Sequence, residues 1–148
     1  MVLGQFDGFD QAQCRISPLD FRNRNGFTGR RDAGFQPLYE RRAVVSNDPA
    51  RRRALIEEYY TEDCVFYDPN KGSYRGRDEI DRIAGVIKAT QPDFQYQPIA
   101  ERDVSGNGGR IRWVSGVPGQ APAYAGTDFI VAQGGRIAAV YLFFDKLP

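Results

Sequence analysis

The chain has 148 residues, with 20 basic against 19 acidic side chains, no histidine and two cysteines. That length fits one domain with its own core, and the near-zero net charge gives no general electrostatic pull toward nucleic acid or an anionic membrane surface. Without histidine the usual Ser-His-Asp and Cys-His sets are missing, Cys14 and Cys64 supply neither a disulfide framework nor a zinc site, and no GxxxxGK[ST] or GxGxxG sequence offers a phosphate cradle.

Residues 1–36 scatter Gly, Arg, Asp, Asn and five phenylalanines (Phe6, Phe9, Phe21, Phe27, Phe35) without a period of 2 or 3.6. This composition predicts an irregular or disordered extension, the competing reading being an arm that docks on the main body or on a partner. No apolar run follows a basic segment at the start, and no stretch reaches membrane-spanning length, so a cytoplasmic protein is expected. Leu38–Val45 has a weak helical pattern. Asp48-Pro49 is a stronger start signal, because Asp accepts bonds from free amides and Pro is tolerated at the first helical position. The helix that follows is expected to run to about Tyr60, burying Ala54, Leu55, Ile56 and Tyr59, with Arg51, Arg52 and Arg53 on a solvated face.

Cys64–Asp68 reads as a strand stopped by Pro69, with Cys64, Phe66 and Asp68 on one face and Val65 and Tyr67 on the other. A Gly-containing loop leads to a second helix after Gly76. There Asp78 and Glu79 occupy the favourable first turn, and Ile80, Ile83, Ala84 and Ile87 form an amphipathic stripe. Four more strands are expected: within Phe94–Glu101, at Arg110–Ser115, at Tyr124–Ala132, and at Arg136–Phe144. Turns at Gly106–Gly109, Pro118–Pro122 and Gly134-Gly135 separate them. Helix, strand, helix and four strands predict an α+β fold with helices covering one face of a curved, mostly antiparallel sheet.

The segments EEYYTEDCVFYDP, GRDEI and AGTDFIVAQGGRIAAVYLFFD, with Trp113 in a middle strand, together resemble the NTF2-like superfamily and, within it, the SnoaL-like proteins. The resemblance covers about residues 48–148 and sets a domain at 37–148. It implies a cone-shaped fold enclosing an apolar pocket for a small hydrophobic molecule, a homodimer formed through the sheet, and no cofactor. The superfamily includes isomerases, cyclases, dehydratases, epoxide hydrolases and pure binding or interaction modules, so catalysis and non-catalytic binding both stay open.

Within that resemblance, Asp68 is similar to the strand-end base of the ketosteroid isomerases, and Asp128 to their second, protonated Asp. Two carboxyls in an apolar site can be driven to different protonation states, one then acting as base and one as hydrogen-bond donor. Phe66, Tyr39, Tyr59, Tyr96 and Trp113 are the candidate ligand-binding residues, and Tyr60 and Tyr124 are further candidate donors. The alternatives are structural. Asp68 would cap the Asp-Pro turn or pair with Arg75 or Arg77, Asp128 would bond backbone amides or pair with Arg112, and the tyrosines would pack in the core. The Asp-Arg-Asp set of epoxide hydrolases is not matched: Arg102 and Asp103 point to opposite faces of a strand, and Leu142 stands where the other carboxylate belongs.

Overall fold

The computed structural model of the protein describes residues 46–147. The expected helix at Leu38–Val45, Tyr39 and the extension over residues 1–36 lie outside the described residues. Within them, helix α1 (Pro49–Tyr59) leads into β1 (Tyr60–Asp68) and β2 (Gly72–Arg75). Helix α2 (Arg77–Thr90) comes next, followed by β3 (Gln95–Pro98), β4 (Asp103–Ser105), β5 (Gly108–Gly116), β6 (Tyr124–Gln133) and β7 (Arg136–Asp145). The architecture is α+β, with both helices on one face of a seven-stranded sheet.

The sheet order is β2-β1-β7-β6-β5-β3, with β4 also paired to β5. All neighbours are antiparallel except β1 and β7, which run parallel. Gly134 and Gly135, at φ 56° and 75°, make the tight turn between β6 and β7, a conformation that a two-residue hairpin requires and that glycine adopts without strain. Register shifts in both the β1–β7 and β6–β7 ladders fall between Ile137 and Ala139. An extra residue at this point bends the strands and increases their twist, which curves the centre of the sheet around its helix-covered face.

Two strands go beyond the sequence expectation. The loop after Pro69 contains β2, which folds back on β1 with Phe66 opposite Tyr74 and Asp68 opposite Gly72. The Gly106-Asn107 turn likewise joins β5 to the three-residue β4. Strand β1 starts four residues earlier than expected, because the helix converts directly to extended backbone at Tyr60, with no loop between them.

The core lies between the inner sheet face and the helices. Ile56, Tyr60 and Ile80 pack there with Cys64, Ile111, Ile130, Ile137 and Val140. Asp48 caps α1 by accepting from the Ala50 amide at 3.0 Å. On α2 the apolar stripe is buried only at Ile80; Ile83 and Ala84 are half-buried and Ile87 is exposed.

One arginine of α1 departs from expectation. Arg53 is solvent-facing and bonds Glu57 at 2.8 Å and also Asp78, but Arg52 is buried and Ala54 is exposed. Arg52 Nε donates to Asp81 Oδ1 at 2.7 Å and Nη1 to the Ser46 carbonyl at 3.3 Å. A Cβ on Gly85 would stand 3.1 Å from Arg52 Nη2, so the glycine makes room for the guanidinium. The pair ties α1 to α2. Asp81→Ala is expected to cost about 2 kcal/mol in chemical denaturation, because it strands a desolvated cation, whereas the double variant Arg52→Met, Asp81→Ala is expected to regain most of that loss.

Candidate functional site

Strand alternation places most of the sequence-derived candidates on one face. On β6, Gly126, Asp128, Ile130 and Ala132 point toward the helices, and Thr127, Phe129 and Val131 point away. Asp128 pairs with Ile111 on β5 and with Leu142 on β7. On β1, Phe66 pairs with Val140 and Tyr67 with Tyr141, so one residue further Asp68 stands level with Leu142. Asp68, Leu142 and Asp128 therefore form a row across β1, β7 and β6. The two carboxylate-bearing backbones are two strand spacings apart, about 10 Å.

The two ends of this row differ. Asp128 is 4% exposed, whereas Asp68 is half-buried at the rim. Asp68 Oδ1 accepts from the Asn70 amide at 2.8 Å, and its carbonyl accepts from the Lys71 amide at 3.3 Å. The side chain thus caps the turn between β1 and β2, as Asp often does before a hairpin. The expected alternatives of a pair with Arg75 or Arg77 are not what forms. Arg77 instead donates to the Tyr60 carbonyl at 2.6 and 3.0 Å and lies 3.9 Å from Glu62. The alternative partner of Asp128 is also corrected. Arg112 sits on the opposite face, 3.6 Å from Asp145, because it pairs with Thr127 and a one-residue offset along a strand reverses the face. Thr127 Oγ1 donates to the same Asp145 carboxylate at 2.9 Å.

Trp113 is buried on the inner face of β5, two residues along from Ile111. Its ring lies 4.3 Å from that of Tyr96, which comes from the edge strand β3. Phe66 packs against the core, with its ring 6.2 Å from Tyr74. Tyr59 is half-buried at the end of α1. Tyr124 is exposed; its hydroxyl accepts from Gln91 Nε2 at 3.2 Å. Strand alternation thus puts Phe66, Tyr96, Trp113 and Asp128 on one face, with Asp68 at its rim, where it also borders Tyr67, Tyr141 and Phe143. Leu142, passed over in the sequence as a missing carboxylate, is the residue that separates the two aspartates.

The outer face carries a feature the sequence reading missed. Phe129, Tyr141 and Phe143 are exposed there, and Tyr141 stacks on Tyr67 at 4.5 Å. Two shallow hollows border them. One, of about 400 Å³, runs from Asp68 to Phe143 at the rim; the other, of about 610 Å³, lies between Arg110 and Asp145. The signal was present in the alternation of β7, where Tyr141 and Phe143 fall on the face opposite Val140 and Leu142. Elsewhere, burial pushes the Cys64 thiol above its ordinary range, and Arg82 bonded to Glu79 at 2.8 Å holds that carboxyl below its usual range.

Residues 38–140, more than half of the chain, match the model of the SnoaL-like domain. No curated protein matches the chain. Among solved structures, a proposed isomerase of the SnoaL-like family from Agrobacterium tumefaciens is 23% identical, with a TM-score of 0.70 over 76% of this chain and 98% of that one. A proposed polyketide cyclase from Sinorhizobium meliloti is 22% identical, with a TM-score of 0.57 over 72% and 94%. An NTF2-like protein of unknown function from Mesorhizobium loti is 22% identical, with a TM-score of 0.59 over 79% and 95%. The helix-backed curved sheet and the family match agree: the chain belongs to the SnoaL-like domain family and has the NTF2-like fold.

Proposed function

We propose that this protein binds a small hydrophobic carbonyl compound on the inner face of its sheet and moves a proton on it without a cofactor. The observation that carries this reading is the row Asp68, Leu142, Asp128, with one carboxyl at an open rim and the other buried among apolar side chains. Asp68 would take a proton next to the carbonyl, and Asp128, protonated, or a tyrosine would donate to the enolate oxygen. The names of two similar structures, a proposed isomerase and a proposed polyketide cyclase, support a reading as an enzyme of small molecules. Exchange of α-protons in a panel of cyclic enones in D2O, followed by NMR, tests it; wild type no faster than Asp68→Asn overturns the base assignment.

A second reading keeps ligand binding on the inner face and drops the chemistry. It is favoured by the bond from the Asn70 amide, which gives Asp68 a structural task. A non-catalytic binding protein would bind the enones and exchange nothing.

The partner proposed for the outer face is a second copy of this chain. Phe129, Tyr141 and Phe143 are framed by charges of both signs, with Arg110 2.7 Å from Asp103 and Arg112 3.6 Å from Asp145. Such a mixed rim around an apolar centre is self-complementary, as a two-fold interface requires. Sedimentation is expected to give a dimer at micromolar concentration and a monomer for Phe143→Asp; a wild-type monomer overturns the proposal.

A further inference from the structure

Trp113 is 2% exposed, and its indole Nε1, buried from solvent, has no hydrogen-bond partner among the described residues. A buried N–H without an acceptor costs roughly 1–3 kcal/mol, and native interiors rarely keep one without a reason. Its position suggests the reason. A Cβ on Gly126 would lie 2.5 Å from Trp113 Cζ2 and 3.0 Å from Cε2. The edge of the indole that bears Nε1 therefore sits directly over Gly126, two residues from Asp128 along the same face of β6. The Tyr96 ring packs against the indole, tilted by 42° with centroids 4.3 Å apart. Around it Ile111 and Leu142 are buried and apolar.

We propose that the Trp113 indole N–H is the recognition donor of the site and selects ligands by an oxygen acceptor on an otherwise apolar, uncharged frame. This deepens the pocket reading above and rests on it, but it does not depend on catalysis. Indole nitrogen donates and cannot accept. A ketone, aldehyde or ester oxygen satisfies it, and a hydrocarbon of the same shape leaves it as costly as before. Asp128 lies two residues along β6 from Gly126, the residue opposite Trp113, so an oxygen held between them would meet a second donor whenever that carboxyl is protonated.

Trp113 is the only tryptophan in the chain, so the full-length protein labelled with ¹⁵N-tryptophan gives one indole N–H resonance. The probes are trans-1-decalone and its isosteric analogue with a methylidene group in place of the carbonyl oxygen. Decalone is expected to move the indole proton downfield and to bind roughly tenfold more tightly than the analogue, the value of one net hydrogen bond. Biosynthetic replacement of the tryptophan by 3-benzothienylalanine, which keeps the ring shape and removes the N–H, is expected to erase that preference. It does so without the cavity that Trp113→Phe would open, and far-ultraviolet circular dichroism checks that the substituted protein folds. An indole resonance unmoved by decalone up to its solubility limit, equal binding of the two probes, or a preference that survives the replacement each overturns the proposal. Equal binding leaves the proposal of an apolar ligand on the inner face standing. A moved resonance with no α-proton exchange sinks the proton-transfer reading and leaves this one standing.

Discussion

Asp68→Asn is expected to slow α-proton exchange of a bound cyclic enone by a factor of roughly 100 to 10,000, the range that a positioned general base contributes. The amide keeps the size of the side chain, and its oxygen can still accept from the Asn70 amide 2.8 Å away in the native turn. Loss of rate with retained stability therefore separates the chemical role of the carboxylate from its turn-capping role. Asp128 provides the contrast. Asp128→Asn still offers N–H donors to an enolate oxygen and is expected to lose less rate than Asp128→Leu, which removes the donor altogether. If the two Asp128 variants are equally impaired, the donor assignment is wrong. If Asp68→Asn loses stability but not rate, the carboxylate is only a turn residue.

The second large effect concerns stability. Gly126→Ala is expected to cost about 3 kcal/mol, measured by chemical denaturation with tryptophan fluorescence as the signal. The added methyl would lie 2.5 Å from Trp113 Cζ2 and 2.7 Å from the Phe143 carbonyl oxygen. Neither can yield cheaply. The carbonyl belongs to β7, held in register by Gly126 opposite Phe144 and Thr127 opposite Phe143. The indole is held between the sheet and Tyr96. Gly108→Ala makes a useful comparison. There the nearest atom is Phe129 Cζ at 2.8 Å, the far end of a partly exposed ring that can rotate aside. Its cost is expected to stay below about 1 kcal/mol. Similar losses for the two variants would mean that the Trp113–Gly126 contact is not the rigid point described.

Elements with a local signal were readable in the sequence. Asp48-Pro49 starts a helix because the cap and the fixed proline torsion act within three residues, and the i, i+3, i+4 stripe from Ile80 needs only its own helix. That Phe66 and Asp68 share a face followed from alternation within β1, whereas Asp128 was singled out by the family resemblance. What escaped depends on partners far away in the chain. Strands β2 and β4, of four and three residues, are strands only because β1 and β5 lie beside them. Arg52 looked like its neighbours Arg51 and Arg53; its burial is decided by Asp81 and by the missing side chain at Gly85. Whether Arg112 could reach Asp128 depends on the β5–β6 register, which sets Arg112 opposite Thr127 and is not written in either strand alone. The paired aspartates were visible as separate candidates, but the leucine that spaces them requires the parallel alignment of β1 with β7.

That alignment also affects how the protein is made. Strand β7, residues 136–145, sits inside the sheet between β1 and β6, and its neighbour β1 was synthesised some seventy residues earlier. While a ribosome is still adding β6, strand β1 has its hairpin partner β2 on one side and an open row of amides and carbonyls on the other. Hairpin β1–β2 and the β3–β6 meander each have their own pairings, but the two halves have no shared strand until β7 emerges. The nascent chain therefore exposes an uncovered sheet edge next to the future core, the kind of edge that invites pairing with another chain. Strand β7, on leaving the tunnel, joins both halves at once.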